Sequence, residues 1–223
     1  ELLKSILDKR GYSFQWILLD STKAIGKKEM LRRLALIVSD SGRSKAEILR
    51  ALHGTYRLIK SLELLDRRAH ILAGYEIQKG SCKKEVTLCR RELEKVCGIR
   101  DALKIIRGHL ENIKNIKTDY TKKPLRLLIT GEIFSMIEPF SNHHIDELLM
   151  DMGVSFEKRI TLGWWIRHTL LDPLQLGRLF ARKNGYLSYS IGGYARETVA
   201  EGVLCRRMGY DGVIQIFPVG CMP

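Results

Sequence analysis

Leucine and isoleucine recur at helical spacing in the first ten residues, which predicts a helix that Gly11 ends. The next apolar segment, Phe14–Leu19, is continuous rather than periodic and is typical of a buried strand. A helix followed by a short loop and a strand forms one α/β unit. Residues 1–23 are therefore predicted to be the end of an N-terminal α/β lobe.

The pattern changes over residues 24–117, where apolar residues return every three or four positions along several consecutive stretches. This periodicity predicts a mostly helical segment. Ser44 and Glu47 have the spacing of a capping box, at the start of one of its helices. Residues 118–124 are polar and contain Pro124, which predicts a linker after the helices.

From residue 125 onward, short apolar runs alternate with helical patterns. The predicted strands are Leu125–Thr130, Val154–Phe156 and Val213–Phe217, and the predicted helices are Asn142–Met152, Trp164–Leu171, Pro173–Lys183 and Glu197–Met208. This alternation predicts a parallel, doubly wound sheet. We expect an α/β fold in which Rossmann-like parallel-sheet lobes flank a mostly helical insertion, with a second lobe over residues 125–223. The sequence begins inside a predicted helix, without Met, and ends within a turn, so we expect a fragment truncated at both ends.

The formal net charge is +13, but Lys and Arg are mixed with Glu and Asp along the helical stretches. No nucleic-acid-binding motif accompanies them, so the pattern favours a solvated basic face that docks an acidic partner over a nucleic-acid surface. No apolar run approaches the roughly 18 residues of a membrane span. No signal-peptide pattern opens the sequence, and these features predict a cytoplasmic protein without a membrane segment.

The five cysteines are Cys82, Cys89, Cys97, Cys205 and Cys221. The first three would lie about two turns apart on a helix, too far to share a metal ion, and their pattern favours packing. Cys205 falls in a predicted helix and is also expected to pack. Cys221 follows the strand Val213–Phe217, at the end where ligands gather in open α/β sheets. Spacing alone leaves two interpretations of Cys221 open, an iron–sulfur ligand or a lone thiol.

Four other polar residues occupy positions suited to ligands. Glu132 follows a predicted strand and precedes a helix, which suits a carboxylate that faces a ligand. Glu197 follows Gly192-Gly193, whose backbone could hold an anion or only form a tight turn. His168 belongs to a segment with two tryptophans that could line a cofactor pocket or dock a helix on the sheet. Asn142 is expected to cap the helix that follows it.

Several motifs together resemble the 2-hydroxyacyl-CoA dehydratase-related family, in particular its CoA protein activase and activase-related members. The matching stretches are Leu128-Ile-Thr-Gly-Glu-Ile-Phe134, Glu138-Pro-Phe-Ser-Asn142, Trp165-Ile-Arg-His168, Gly192-Gly193 with Glu197-Thr-Val199, and Gly209-Tyr-Asp-Gly-Val-Ile-Gln-Ile-Phe-Pro-Val-Gly-Cys-Met-Pro223. The last stretch is the most specific, because the family has a similar strand that ends in a Phe-Pro-x-x-Cys-Met-Pro run. The similarity covers about Leu125 to Pro223.

The resemblance implies an iron–sulfur cluster of the 4Fe–4S type, with Cys221 as one ligand and the other ligands outside this chain. It makes Glu132, Asn142, His168 and Glu197 candidate cofactor-binding residues. It also implies low-potential electron transfer in a system that reduces or dehydrates an acyl-CoA, as a dehydratase-type lyase or an accessory to one. An ATP-dependent activator or a dehydratase subunit is the implied partner. The alternative is an α/β scaffold that binds a partner without a cluster.

Overall fold

The computed structural model describes residues 2–12, 27–39, 42–167, 186 and 195–221. The predicted strand Phe14–Leu19 and the predicted helix Pro173–Lys183 lie outside these residues. The chain divides into two compact units, Glu1–Ala51 and Leu52–Pro223. The second unit contains the sheet and every candidate residue that the structure describes.

In the first unit, α1 spans Leu2–Lys9, α2 spans Lys27–Ser39, and α3 begins at Lys45. Gly11 follows α1 with a φ of 78°, the left-handed conformation in which glycine commonly ends a helix. The N–H of Ser44 donates to the Glu47 carboxylate at 2.9 Å, and the N–H of Glu47 donates to Ser44 Oγ at 3.3 Å. The predicted helix stop and the predicted capping box are both confirmed.

Three long helices begin the second unit or cross into it. They are α3 (Lys45–Leu72), α4 (Ser81–Leu93) and α5 (Ile99–Lys114). In α5 the buried residues Ala102, Ile106, His109 and Ile113 follow helical spacing, so one face of the helix is turned toward the core. The mostly helical character predicted for this part of the chain is confirmed.

Among the described residues of the second unit, the sheet contains three parallel strands in the order β2-β1-β3. The strands are β1 (Arg126–Gly131), β2 (Ser155–Lys158) and β3 (Gly212–Ile216). Leu128 of the central strand pairs with Glu157 on one side and with Val213 on the other. β1 is paired along both edges, and its residues from Leu127 onward are buried. The three predicted strands and the α/β class are confirmed.

Four shorter helices connect and flank these strands. They are α6 (Ile133–Ile137), α7 (Ile145–Met152), α8 (Leu162–Ile166) and α9 (Ala195–Arg207). Helix α7 begins three residues later than Asn142, because His143 and His144 have φ values of 55° and 54°, which are not helical. Gly153 ends α7 with a φ of 73°, as its position after the apolar pattern predicts.

One hydrophobic core joins α3, α4 and α5 to the sheet. Leu65 and Ala69 of α3 belong to the same buried cluster as Ile129 of β1 and Phe156 of β2. At the end of α3, a side chain on Gly74 would lie 2.8 Å from Pro124 and 2.9 Å from Ser155, so only glycine allows this approach. The division into residues 24–117, a linker over 118–124 and a lobe over 125–223 stays a prediction.

Charged side chains cover the outer faces of the helices in oppositely charged pairs. Glu29 contacts Arg32 at 2.7 Å in α2, and Glu111 contacts Lys114 at 2.6 Å in α5. Exposed pairs of this kind contribute little to stability but keep the surface polar. Among the helices that the structure describes, none combines the length and the apolar character needed to cross a membrane.

We predict that Gly131→Ala lowers the free energy of unfolding by about 3 kcal/mol or more. Gly131 has a φ of 149°, and a Cβ there would lie 1.9 Å from the Ile216 carbonyl oxygen, so the β1–β3 pairing would have to open. The control is Gly108→Ala in α5, where a Cβ meets nothing within 4 Å. That change should stabilise the protein by about 0.5–1 kcal/mol. Urea unfolding of both variants tests the difference, and equal effects would contradict the prediction.

Candidate functional site

The carboxyl ends of β1 and β3 meet at one edge of the sheet. The N–H of Glu132, the residue after β1, donates to the Ile216 carbonyl at 2.9 Å. Glu132 and the segment after β3 are therefore neighbours. Glu132 therefore lies at the carboxyl edge of the sheet, and its role in binding a ligand stays a prediction.

The Glu132 carboxylate accepts hydrogen bonds from other groups of the protein. It accepts hydrogen bonds from the N–H groups of Phe134 and Ser135, at 3.0 and 2.9 Å, and so caps the first turn of α6. Ser135 Oγ donates to the same carboxylate at 3.2 Å. The structure gives Glu132 a positioning role, in which it directs the chain from β1 into α6.

Asn142 is buried and holds the other end of the same segment. Its Nδ2 donates to the Ser135 carbonyl at 3.0 Å, and its Oδ1 accepts from the Ile145 N–H at 3.3 Å. The side chain therefore links α6 to the start of α7. Glu132 and Asn142 both contact Ser135, so the structure brings these two candidates together through one residue.

Cys221 is exposed in a turn that follows β3. Its N–H donates to the Pro218 carbonyl at 3.0 Å, which closes the turn. Gly220 has a φ of 81°, and a Cβ there would meet nothing within 4 Å. Glycine is therefore favoured by the turn conformation, while the thiol of Cys221 remains open to solvent.

The other candidates do not join Cys221 in a described cluster. Glu197 lies in the first turn of α9, where the helix dipole stabilises its negative charge. His168, Gly192-Gly193, Met222 and Pro223 lie outside the described residues. Within the residues that the structure describes, no group of three or more His, Cys, Asp or Glu side chains is arranged to hold a metal ion.

Three of the remaining cysteines are packed inside the protein. Burial raises the pKa of the Cys89 thiol to about 11 and raises that of Cys82 still further, so both remain protonated near neutral pH. Cys205 is buried in α9, and its Sγ lies 3.5 Å from the Gly212 carbonyl oxygen. Packing was predicted for these three and is confirmed. The packing predicted for Cys97 is wrong, because the helix ends at Leu93 and Cys97 lies exposed beyond it.

A separate cleft of about 280 Å³ lies beside β2. It is bounded by α3, the segment from α6 to α7, and the chain from the end of β2 to α8. Its apolar lining consists of Ile59, Leu62, Met136, Ile137, Pro139, Ile160 and Leu162, and its polar lining includes His70, Asn142, Asp146 and Lys158. This cleft is a candidate ligand site, and Asn142 is the residue of its lining that the sequence analysis named as a candidate.

Asp146 and Lys158 form the central ion pair of this cleft. Lys158 Nζ donates to both carboxylate oxygens of Asp146, at 2.8 and 3.1 Å. Both side chains are largely shielded from water, with exposures of 15% for Lys158 and 25% for Asp146. Lys158 ends β2 and Asp146 lies in the first turn of α7, so the pair joins two elements across the cleft.

His70 forms the buried polar wall of the cleft. Its ring stacks on Phe156 with the ring centroids 4.3 Å apart, and its Nε2 lies 4.0 Å from Asp146 Oδ2. Burial lowers the pKa of His70 and outweighs the carboxylates of Asp146 and Asp66, which raise it, while Lys158 and Arg90 lower it further. The imidazole is therefore neutral near pH 7, with one donor and one acceptor nitrogen.

Sequence signals for this cleft exist but are weak. Lys158 stands at the carboxyl end of a strand, a position that favours ligand contact. His70 follows Ala69 in the part of α3 that faces the core, where a histidine is usually a packed residue. Only the packing of α3 on β2 brings these two side chains to one cleft with Asp146.

Comparisons with protein-family models, with curated proteins and with solved structures gave no match. The family resemblance of the motifs therefore stays a prediction. The chemistry of the Cys221 turn and of the His70 cleft is the remaining basis for inferring function.

We predict that His70→Gln weakens the pH dependence of stability between about pH 7.5 and pH 5.5. The folded imidazole has a lowered pKa, so it takes up a proton at lower pH than the unfolded one, whose pKa is 6.5. The free energy of unfolding is therefore not reduced by His70 above about pH 6.5, and it decreases as the pH falls below this value. The loss, up to about 1.4 kcal/mol per pH unit, should disappear in the variant.

Urea unfolding at the two pH values measures this effect. His53→Gln is the matched control, because His53 is an exposed histidine of the same helix. The control should keep the difference that the original protein shows between the two pH values. An unchanged pH dependence in His70→Gln would contradict a lowered pKa for His70.

Proposed function

We propose that this chain belongs to an iron–sulfur protein related to 2-hydroxyacyl-CoA dehydratases and their activase-related proteins. The observation that carries the proposal is the exposed thiol of Cys221 in a turn just beyond β3, at the carboxyl edge of a parallel sheet. A thiolate is the usual protein ligand of iron–sulfur clusters. The Phe-Pro-Val-Gly-Cys sequence at this turn is the most specific part of the family resemblance.

The residues present fit one ligand position of a cluster. Cys221 is exposed and lies in a turn that a bulky group can approach, whereas Cys82, Cys89 and Cys205 are buried. A cluster at Cys221 would take its other ligands from outside the described residues, since no group of three is found within them. One-electron transfer at low potential is the chemistry that such a cluster supplies when bound.

Two other candidate residues hold the chain that lies beside the end of β3. The Glu132 N–H is bonded to Ile216, while its carboxylate caps α6. Asn142 ties α6 to α7. Under this proposal Glu132 and Asn142 are positioning residues, and Glu197 and His168 remain candidates for contact with the cofactor.

Under this proposal the protein acts in the cytoplasm together with a protein partner. A cytoplasmic protein of this type would receive electrons from an ATP-dependent activator, or deliver them to a dehydratase subunit that handles an acyl-CoA. The net charge of +13 supports docking on an acidic partner surface. The protein would act as a dehydratase-type lyase or as an accessory to one.

A scaffold that binds a partner without a cluster is the second candidate. It is favoured by one observation, that Cys221 belongs to no group of three or more potential metal ligands among the residues that the structure describes. The two candidates differ in iron content, which a direct measurement decides.

We predict that the full-length gene product, purified without oxygen, contains iron and sulfide, and that Cys221→Ala loses most of its iron. Cys97→Ala is the matched control, because Cys97 is the other exposed thiol in the described part of the chain. This control should keep the iron. Iron and sulfide analysis and the visible absorption spectrum measure the outcome.

Two results would count against the proposal. A colourless protein without iron, even after anaerobic reconstitution, would favour the scaffold. Iron retained in Cys221→Ala would remove the ligand assignment of this residue. Equal loss of iron in both cysteine variants would indicate general damage rather than a specific ligand.

A further inference from the structure

The cleft beside β2 is distinct from the Cys221 turn. The sheet order is β2-β1-β3, so the strand that borders the cleft and the strand that precedes Cys221 lie on opposite sides of β1. His70, Asp146 and Lys158 have no part in the proposed role of Cys221. An inference about the cleft therefore stands without the iron–sulfur proposal.

The charged side chains around the cleft are paired within the protein. The pairs are Lys158 with Asp146 at 2.8 Å, Arg90 with Asp66 at 3.3 Å, Lys60 with Glu63 at 2.9 Å, Arg67 with Glu157 at 2.7 Å, and Glu147 with Lys83 at 3.6 Å, where Lys83 also contacts Asp151 at 2.7 Å. Each charged side chain of the lining belongs to one of these pairs. A charged ligand would have to compete with an existing partner, at the cost of its own desolvation. The cleft thus favours an uncharged ligand.

Most of the remaining lining is apolar. Met136 and Ile160 are almost completely buried at its base, and Ile137 and Leu162 are more exposed. Contact with these side chains favours the binding of a hydrophobic molecule. A volume of about 280 Å³ is near the lower limit of small-molecule sites. It suits a compact ligand rather than a helix of another protein.

His70 supplies a polar group for such a ligand. The ring is held by its stack on Phe156, and the 4.0 Å between Nε2 and Asp146 Oδ2 is longer than a hydrogen bond. A hydroxyl group can both donate and accept, so it suits either tautomer of a neutral imidazole. One hydrogen bond in an otherwise apolar cleft would fix the orientation of the ligand.

We propose that this cleft binds a compact, uncharged and mainly apolar molecule whose hydroxyl group hydrogen-bonds to the His70 imidazole. The paired charges, the apolar lining and the buried histidine together select this class of ligand. Anionic and cationic molecules of the same shape are disfavoured.

Three probes of similar shape test the charge selectivity. Benzyl alcohol is neutral, benzoate is an anion, and benzylamine is a cation at about pH 7.5. We expect benzyl alcohol to shift the imidazole resonances of His70 in an NMR titration and to bind at least about tenfold more tightly than either charged probe. His109, which is buried between α4 and α5 and bonds to Glu85, is the internal control and should not shift.

His70→Phe tests the hydrogen bond. Phenylalanine keeps an aromatic ring against Phe156 but removes the nitrogens, so benzyl alcohol should bind about three- to tenfold more weakly. Toluene, which has no hydroxyl group, should bind the variant no more weakly than it binds the unchanged protein. The titration of the unchanged protein with the three probes does not depend on how well this variant folds.

The measurements use protein without iron, so their outcome is separate from that of the iron–sulfur proposal. An unshifted His70 at saturating benzyl alcohol would overturn the site. Tighter binding of benzoate or benzylamine would overturn the ligand class. Equal binding of benzyl alcohol to the protein and to His70→Phe would overturn the role of the imidazole.

Discussion

The packing of α3 on Phe156 is the contact on which most of the second unit depends. Phe156 is fully buried in β2, and the ring of His70 covers it. Leu65 and Ala69 belong to the same core, so this contact joins the long helices to the sheet. It also forms one wall of the cleft. Loss of the aromatic ring at position 156 would therefore affect both the core and the candidate site.

The pairing of β1 on both sides is the second constraint. A central parallel strand brings the residues after each strand to one edge, which is why Glu132 and the segment that leads to Cys221 are neighbours. The close approach of Gly131 to the Ile216 carbonyl makes this part of the edge intolerant of side chains. Strand pairing thus fixes where the segment that leads to Cys221 begins, and the bond from the Cys221 N–H to the Pro218 carbonyl closes the turn.

Local signals in the sequence predicted the elements well. Ser44 with Glu47, and Gly153 after α7, act through hydrogen bonds or dihedral angles within a few residues, so their positions could be interpreted without the fold. The start of α7 was predicted too early, because Asn142 bonds to Ser135 and Ile145 from a position before the helix. A preferred capping residue does not by itself identify the first helical turn.

The cleft could not be predicted from the sequence, because its polar residues come from elements that meet only in the folded protein. The presence of the ion pair in this cleft is not explained by its contribution to stability. A shielded pair such as Asp146 and Lys158 contributes little more than well-packed apolar side chains would, since the attraction is offset by the loss of hydration. The pair does, however, leave both charges satisfied beside a neutral histidine. Under the proposal for the cleft, this arrangement disfavours charged ligands because no unpaired charge is left among the described residues of the lining to attract them.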